Sequence, residues 1–142
     1  MKPLVRSDRR IGPADAPLRR GVAAVEFAVC LPVMLLITFG AIEAANGIYL
    51  KQILTQAAYE GARVASTVGA TQSEAEAFSQ LILDSRSIQN ATINITPTIN
   101  ANTPSGTEVT VIVTAPSNSN AFAPLWYFRD AQVRAQIVMV RN

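Results

Sequence analysis

One charged side chain stands out in an apolar stretch near the start of the chain. Glu26 is the only charged residue between Val22 and Ile42, a run of roughly 21 residues. As a helix rising about 1.5 Å per residue, this run is about 30 Å long, the hydrocarbon thickness of a bilayer. A carboxylate in that setting costs about 2.5–3.5 kcal/mol and is expected to have a partner. We expect this partner to be an α-amino group created by cutting the chain after Gly21.

Gly21 separates a basic leader from the apolar run. An ordinary secretory signal has the opposite order, because its cleavage site follows the apolar run. Residues 1–20 are charged, contain three prolines and show no apolar period, so we expect them to be disordered. A cut after Gly21 removes the leader and keeps the whole apolar helix, which is the arrangement of prepilin-type processing. Glu26 is then the fifth residue of the mature chain, and the aromatic Phe27 follows it.

The spacing between Val22 and Glu26 has a direct electrostatic reason. After cleavage, Val22 begins the helix with a charged amine, and the free N–H groups of the first turn add partial positive charge. Glu26 lies one turn further along, so it can neutralise that end or the same end of a neighbouring subunit. The alternative is an uncut helix in which Glu26 reaches towards the membrane surface at little cost.

The charges are distributed unevenly along the chain. Residues 1–21 carry six basic and two acidic groups, net +4, and the remainder carries six basic and eight acidic groups, net −2. A basic flank before a membrane span stays in the cytoplasm, so the leader's charge indicates membrane topology, not nucleic-acid binding. The chain has no histidine and one cysteine, Cys30, which excludes His-containing metal clusters, Cys–His nucleophiles and an intramolecular disulfide. We expect no cofactor and no enzymatic activity.

Three segments follow from these patterns: a cleaved leader at 1–21, a transmembrane helix at 22–42 and a periplasmic domain at 43–142. Pro32 is expected to kink the span. Beyond Ile42 the helix continues as an amphipathic helix with one apolar stripe. Within this stripe Ala57, Gly61 and Ala65 form a ladder of small residues, which permits close packing either on the protein's own sheet or on a neighbouring subunit.

The rest of the chain predicts a short helix and a small sheet. Gly69 ends the first helix, and a capping box, Thr71 with Glu74 or Ser73 with Glu76, begins a second helix that runs to about Ser85. Four apolar residues of this helix are expected to face the core: Ala75, Phe78, Leu81 and Ile82. Three segments then alternate with a period of two, near residues 93–99, 108–114 and 133–139. The predicted fold class is α+β, pilin-like, with an antiparallel sheet of about three strands. The aromatic segment 121–128 is expected to close the core or to contact a subunit.

The apolar helix and the stretch after it resemble a known family. The matching residues are Arg19-Arg20-Gly21, Ala24-Val25-Glu26-Phe27-Ala28, Leu31-Pro32, Gly40-Ala41-Ile42-Glu43 and Ala57-Ala58-Tyr59-Glu60-Gly61-Ala62-Arg63. They resemble the TadE-like pseudopilins of the tight-adherence (Flp) pilus system over about residues 19–69. Tyr59 stands where the family's recurrent stretch has arginine.

The resemblance implies a protein of the bacterial inner membrane that is cut by a prepilin peptidase and helps to assemble an adhesive pilus. By resemblance, Gly21 precedes the cut, Val22 is the new N-terminus and Glu26 is the assembly residue. Other pilins and pseudopilins, the inner-membrane assembly platform and membrane lipid are the implied partners. The family's major pilins are much shorter after the helix, so the domain favours a minor pseudopilin. The alternative is an uncleaved single-span protein whose periplasmic domain binds a partner.

Overall fold

The chain folds into two helices and three strands. The computed structural model describes the backbone of residues 15–120 and 131–142, and the side chains of these residues from Gly21 onward. The elements are α1 Asp15–Ala65, α2 Gln72–Ser85, β1 Thr92–Thr96, β2 Glu108–Pro116 and β3 Gln132–Val140. The α+β class, the long first helix, the short second helix and the three-stranded antiparallel sheet are therefore confirmed. The aromatic segment 121–128 lies outside the described residues.

The chain divides into two compact units, the first ending at Phe39 and the second beginning at Gly40. In the first unit every described side chain is exposed, and this holds up to Ile42. The large apolar side chains between Val22 and Ile42 are 38% to 75% exposed. The helical segment Gly21–Ala65 is long and apolar enough to cross a membrane, with a mean hydropathy of 2.3 in its most apolar window and none of that window buried.

The start of α1 differs from the sequence prediction. Asp15 to Arg20 are helical, so the expectation of a disordered leader is wrong for these six residues, and residues 1–14 lie outside the described part of the chain. The helix extends upstream because the apolar run provides a long helical segment, and adding a turn to an existing helix costs far less than nucleating a new one.

The core of the second unit lies between the apolar stripe of α1 and one face of the sheet. Buried side chains recur along α1 at three- and four-residue spacing, which is the period of one helical face. The buried core residues of α1 are Leu50, Ile53, Leu54, Ala57, Ala58, Ala62 and Ala65, and the buried core residues of the sheet are Ile95, Val109, Val111, Val113, Ala115 and Ala135. The amphipathic second half of α1 therefore stabilises the sheet by covering its apolar face.

The strands are arranged in the order β1-β2-β3, and each neighbouring pair is antiparallel. Val111 of β2 lies between Ile95 of β1 and Ile137 of β3. In β2 the buried and half-buried positions alternate strictly, as expected for a strand with one covered face. β1 ends at Thr96, immediately before Pro97, and it is an edge strand, as prolines in sheets require.

Helix α2 begins at a capping box. The Thr71 backbone N–H donates to Glu74 Oε2 at 2.8 Å, and the Glu74 N–H donates to Thr71 Oγ1 at 3.4 Å. These two bonds satisfy free donors at the start of the helix. Helix α1 ends at Ala65, a few residues before the expected stop, and Gly69 adopts a φ of +82°, which favours glycine.

The face of α2 that meets the core agrees only in part with the one predicted from hydrophobicity, since Ala75 is fully buried and Ile82 is half-buried against the core as expected. Its buried residues are Ala75, Ser79 and Leu83, spaced by four. Phe78 is 47% exposed and Leu81 is 62% exposed, so their predicted burial is wrong. The cause is the close contact with α1, which admits only a small residue at position 79 and so sets the rotation of α2.

Candidate assembly segment

The predicted cleavage and assembly residues lie together on the first turns of the described apolar helix. Gly21, Val22, Glu26 and Phe27 are all within α1. A Cβ atom at Gly21 would meet nothing within 4 Å. Val22 is 58% exposed and Phe27 is 60% exposed. The described residues of this segment are therefore exposed.

Glu26 is placed one helical turn after Val22, so the two side chains project from the same face of α1. Glu26 forms no ion pair with another described residue. In the uncut chain, the nitrogen of Val22 is an uncharged peptide nitrogen. A positive group one turn from Glu26 would arise only when the bond between Gly21 and Val22 is cut.

Pro32 lies inside α1, and helical backbone continues on both sides of it. Proline has no N–H, so the carbonyl of Ala28 loses its usual partner four residues later. The proposed kink at Pro32 stays a prediction. Cys30 is a free, exposed cysteine on the same part of the helix.

The ladder of small residues packs within the second unit. Ala57 and Ala65 are fully buried, and Gly61 is buried between them. A Cβ at Gly61 would overlap Ser79 Oγ and lie 3.3 Å from the carbonyl oxygen of Ala75, both on α2. The Ser79 hydroxyl donates to the carbonyl oxygen of Ala57 at 3.1 Å. At Ala57 and Gly61 the ladder thus contacts α2, whereas the sequence analysis expected the sheet or a neighbouring subunit.

Sequence reasoning missed the role of Arg141. The residue is 1% exposed, and its guanidinium donates to the carbonyl oxygens of Ala65 at 2.9 Å, Ala70 at 3.1 Å and Asn100 at 3.3 Å. Ala65 is the last residue of α1, where free carbonyls carry partial negative charge. An arginine at the end of an alternating strand usually indicates a solvent-facing residue, so no signal in the sequence identifies this contact.

A comparison with protein-family models places the sequence resemblance on a defined segment. The model described as TadE-like protein matches residues 21–63. This segment resembles the TadE-like family. The match begins at Gly21 and ends two residues before α1 does, so it includes Val22, Glu26 and Phe27 and leaves the sheet outside. Searches of curated proteins and of solved structures found no match.

The TadE-like segment joins two different environments. At its start are the exposed residues around Glu26, and near its end is Gly61, which packs on α2. Glu60 and Arg63 form an ion pair at 2.8 Å on the outer side of that stretch. The TadE-like family is associated with the Tad pilus in a structural or assembly role, and the likeness covers 43 of the 142 residues of this chain. The candidate membrane helix is consistent with a membrane-anchored component of that pilus.

Proposed function

We propose that the protein is a minor pseudopilin that is cut after Gly21 by a prepilin peptidase and takes part in assembling a Flp/Tad adhesive pilus. One observation carries the proposal: the TadE-like match begins at the residue before the proposed cut and includes Glu26 on a fully exposed apolar helix. The residues proposed for processing and for charge pairing therefore lie within the matched segment.

The exposed helix supports membrane insertion followed by assembly. Twelve large apolar side chains between Val22 and Ile42 are exposed, and water would be an unfavourable environment for them. Lipid covers them while the protein is in the inner membrane, and helices of other pilins cover them in the pilus. The basic leader keeps the N-terminus in the cytoplasm and places the second unit in the periplasm.

Glu26 gives the assembly step its specificity. Lipid and neighbouring apolar helices cover a leucine equally well, so apolar contacts alone do not select the pilus over the membrane. An unpaired carboxylate in lipid costs about 2.5–3.5 kcal/mol, and this cost falls when the carboxylate meets a charged amine. The Val22 amine of a neighbouring subunit supplies that charge only after processing. Uncut chains would then be excluded from the pilus.

Gly21 suits a cleavage position for two physical reasons. The bond between Gly21 and Val22 lies within α1, so a peptidase has to unwind this part of the helix to reach it. Glycine lowers helix stability by about 1 kcal/mol relative to alanine, which makes local unwinding easier. The missing Cβ also lets a peptidase pocket approach the backbone closely.

Intact mass of the protein purified from the native membrane tests the cut. Loss of residues 1–21 from the 142-residue chain leaves 121 residues. Retention of Met1 to Gly21 while the native peptidase is active would contradict the proposal and favour the uncleaved single-span protein. Gly21→Leu should block processing, because the bulky side chain fills the space that the peptidase pocket needs.

Glu26→Ala separates processing from assembly. We expect the cut to proceed normally and incorporation into pili to be lost, because the Val22 amine has no partner. Glu60→Ala is the control, since it removes an acidic residue of the same family segment that lies outside the apolar run. Normal piliation with Glu26→Ala would show that charge pairing is not needed.

A further inference from the structure

The two edges of the sheet differ in how they are protected from pairing with another strand. β1 has five residues, is followed by Pro97 and packs beside α2, whose Ala77 and Gln80 share a surface pocket with Ile93. β3 has nine residues, and its second half, Gln136–Val140, contains no charge and no proline. Natural edge strands are usually protected by charged residues, proline, bulges or short length. Residues 136–140 have none of these.

The register shows which backbone groups of β3 point away from the sheet. The Arg141 N–H donates to the Thr107 carbonyl at 2.9 Å, and the Ser117 N–H donates to the Ala131 carbonyl at 2.9 Å. In an antiparallel ladder the hydrogen-bonded pairs recur every second residue, so the odd-numbered residues of β3 bond to β2. The even-numbered residues direct their N–H and C=O groups outward. Of these outward backbone groups of β3, the Arg134 carbonyl has a hydrogen-bond partner among the described residues, because it accepts from Lys51 Nζ.

The side chains beside the open edge define the chemistry of a strand that would fit there. Val138 is 47% exposed and Val140 is 55% exposed, and both lie on the outer face of the sheet. Arg134 lies on the same face at the other end of the strand, with Lys51 next to its carbonyl. Neither cation has an acidic partner among the described residues. The open edge is therefore apolar at one end and positively charged at the other.

We propose that the β3 edge binds an extended segment of a different chain, which adds to the sheet as a fourth strand. Cross-strand neighbours on one face recur every two residues, so the register fixes the spacing of the segment's side chains. An aspartate or glutamate opposite Arg134 is followed, four and six positions away, by apolar residues opposite Val138 and Val140. The backbone groups of residues 136, 138 and 140 supply the hydrogen bonds. The inference rests on the proposed function only in placing this chain among the pilus assembly components.

Amide exchange of the full chain in lipid nanodiscs tests whether the edge is open. The amides of Val138 and Val140 should exchange rapidly, and those of Ile137 and Met139, which bond to β2, should exchange slowly. The two pairs alternate along one strand, so each is the control for the other. Equal protection of all four amides would overturn the proposal, because the edge would then be covered by this chain itself or by a second copy.

Photo-cross-linking in cells that assemble pili tests whether the edge is used. A photo-cross-linking amino acid replaces Val140, and the control carries it at Asn94, an exposed position on the opposite edge strand. We expect an adduct at 140 and not at 94, with the cross-linked residue in a segment of a different chain that has the acidic and apolar spacing described above. An absent adduct, an adduct with another copy of this chain, or equal adducts at both positions would overturn the proposal.

Two substitutions test the backbone and the charge separately. Val138→Pro removes an outward N–H without breaking a bond to β2, and the adduct at 140 should be lost, whereas Val138→Thr should keep it. Arg134→Glu should reduce the adduct several-fold through like-charge repulsion.

Slow amide exchange at Val111 verifies that each variant is folded. An unchanged adduct in folded Val138→Pro or Arg134→Glu would contradict strand addition or the acidic partner, respectively. If intact mass confirms the cut while these results fail, the proposed function stands without this inference.

Discussion

The two halves of α1 are both rich in apolar residues, but the fold covers only one of them. Between Gly21 and Ile42 every described side chain is exposed, whereas Leu54, Ala57 and Ala58 are completely buried. The first half is apolar on all sides of the helix and the second half has a single apolar stripe. A stripe indicates packing within the same protein, and an apolar helix without a polar face requires cover from outside the chain. The period of the pattern, more than its hydrophobicity, separates the two environments.

The specificity of the two halves also has different physical origins. In the first half most side chains are interchangeable apolar groups, so the proposed function depends on Gly21 and on Glu26. In the second half the specificity comes from steric fit, because Gly61 and Ser79 leave no room for a larger residue between α1 and α2. Substitutions should therefore change the free energy of unfolding strongly in the second half and little in the first.

Matched leucine substitutions should give the largest difference between the halves. Leu54→Ala should lower the free energy of unfolding of the second unit by about 2–5 kcal/mol, because it leaves a cavity at a site that is 0% exposed. Leu36→Ala, at a site that is 75% exposed, should leave this free energy unchanged. Amide exchange of Val111 and Val113 in the full chain in nanodiscs measures it. A similar loss in both variants would show that the first half also stabilises the second unit.

Removal of Arg141 should destabilise the second unit next most strongly. Arg141→Met keeps much of the side-chain volume but leaves the carbonyls of Ala65, Ala70 and Asn100 without their donor. We expect a loss of about 3 kcal/mol in the free energy of unfolding, measured in the same way. Arg86→Met is the control, since Arg86 is exposed and its loss should change stability by less than about 0.5 kcal/mol. Equal effects would mean that the buried guanidinium contributes nothing.

The sequence predicted what depends on local pattern and missed what depends on contacts between distant elements. The capping box at Thr71, the alternation of the strands and the stripe of α1 follow from spacing alone. The burial of Ser79 in place of Phe78 depends on where the Ala57 carbonyl lies, and the burial of Arg141 depends on where α1 ends. Both partners are far away in the sequence, so periodicity does not reveal them. The proposed cut and the role of Glu26 stay predictions.

Glycine substitutions should sharpen the comparison within α1. Gly61→Ala places a Cβ against Ser79 Oγ and near the Ala75 carbonyl, so we expect a loss of about 1–3 kcal/mol in the free energy of unfolding. Gly47→Ala is the matched control, because a Cβ there would meet nothing within 4 Å, and alanine favours the helix by up to about 1 kcal/mol. Stability that rises in both variants would mean that α2 can move away from α1 without cost.

The smallest expected effect is a pH dependence at the start of α2. Hydrogen bonds from the Thr71 backbone N–H and then from its side chain lower the pKa of Glu74 in the folded protein. A folded pKa below the unfolded one stabilises the fold above the unfolded pKa, and this contribution is lost as the pH falls through the folded pKa. We therefore expect the α2 N-terminus to fray in acid, seen as faster exchange of the Glu74 amide once intrinsic exchange is corrected.

Glu74→Gln keeps an acceptor oxygen that does not titrate, so the acid-induced change should disappear. Glu76→Gln should leave the change in place, since Glu76 takes no part in the capping box. An acid transition that persists in Glu74→Gln would assign the pH dependence to another group.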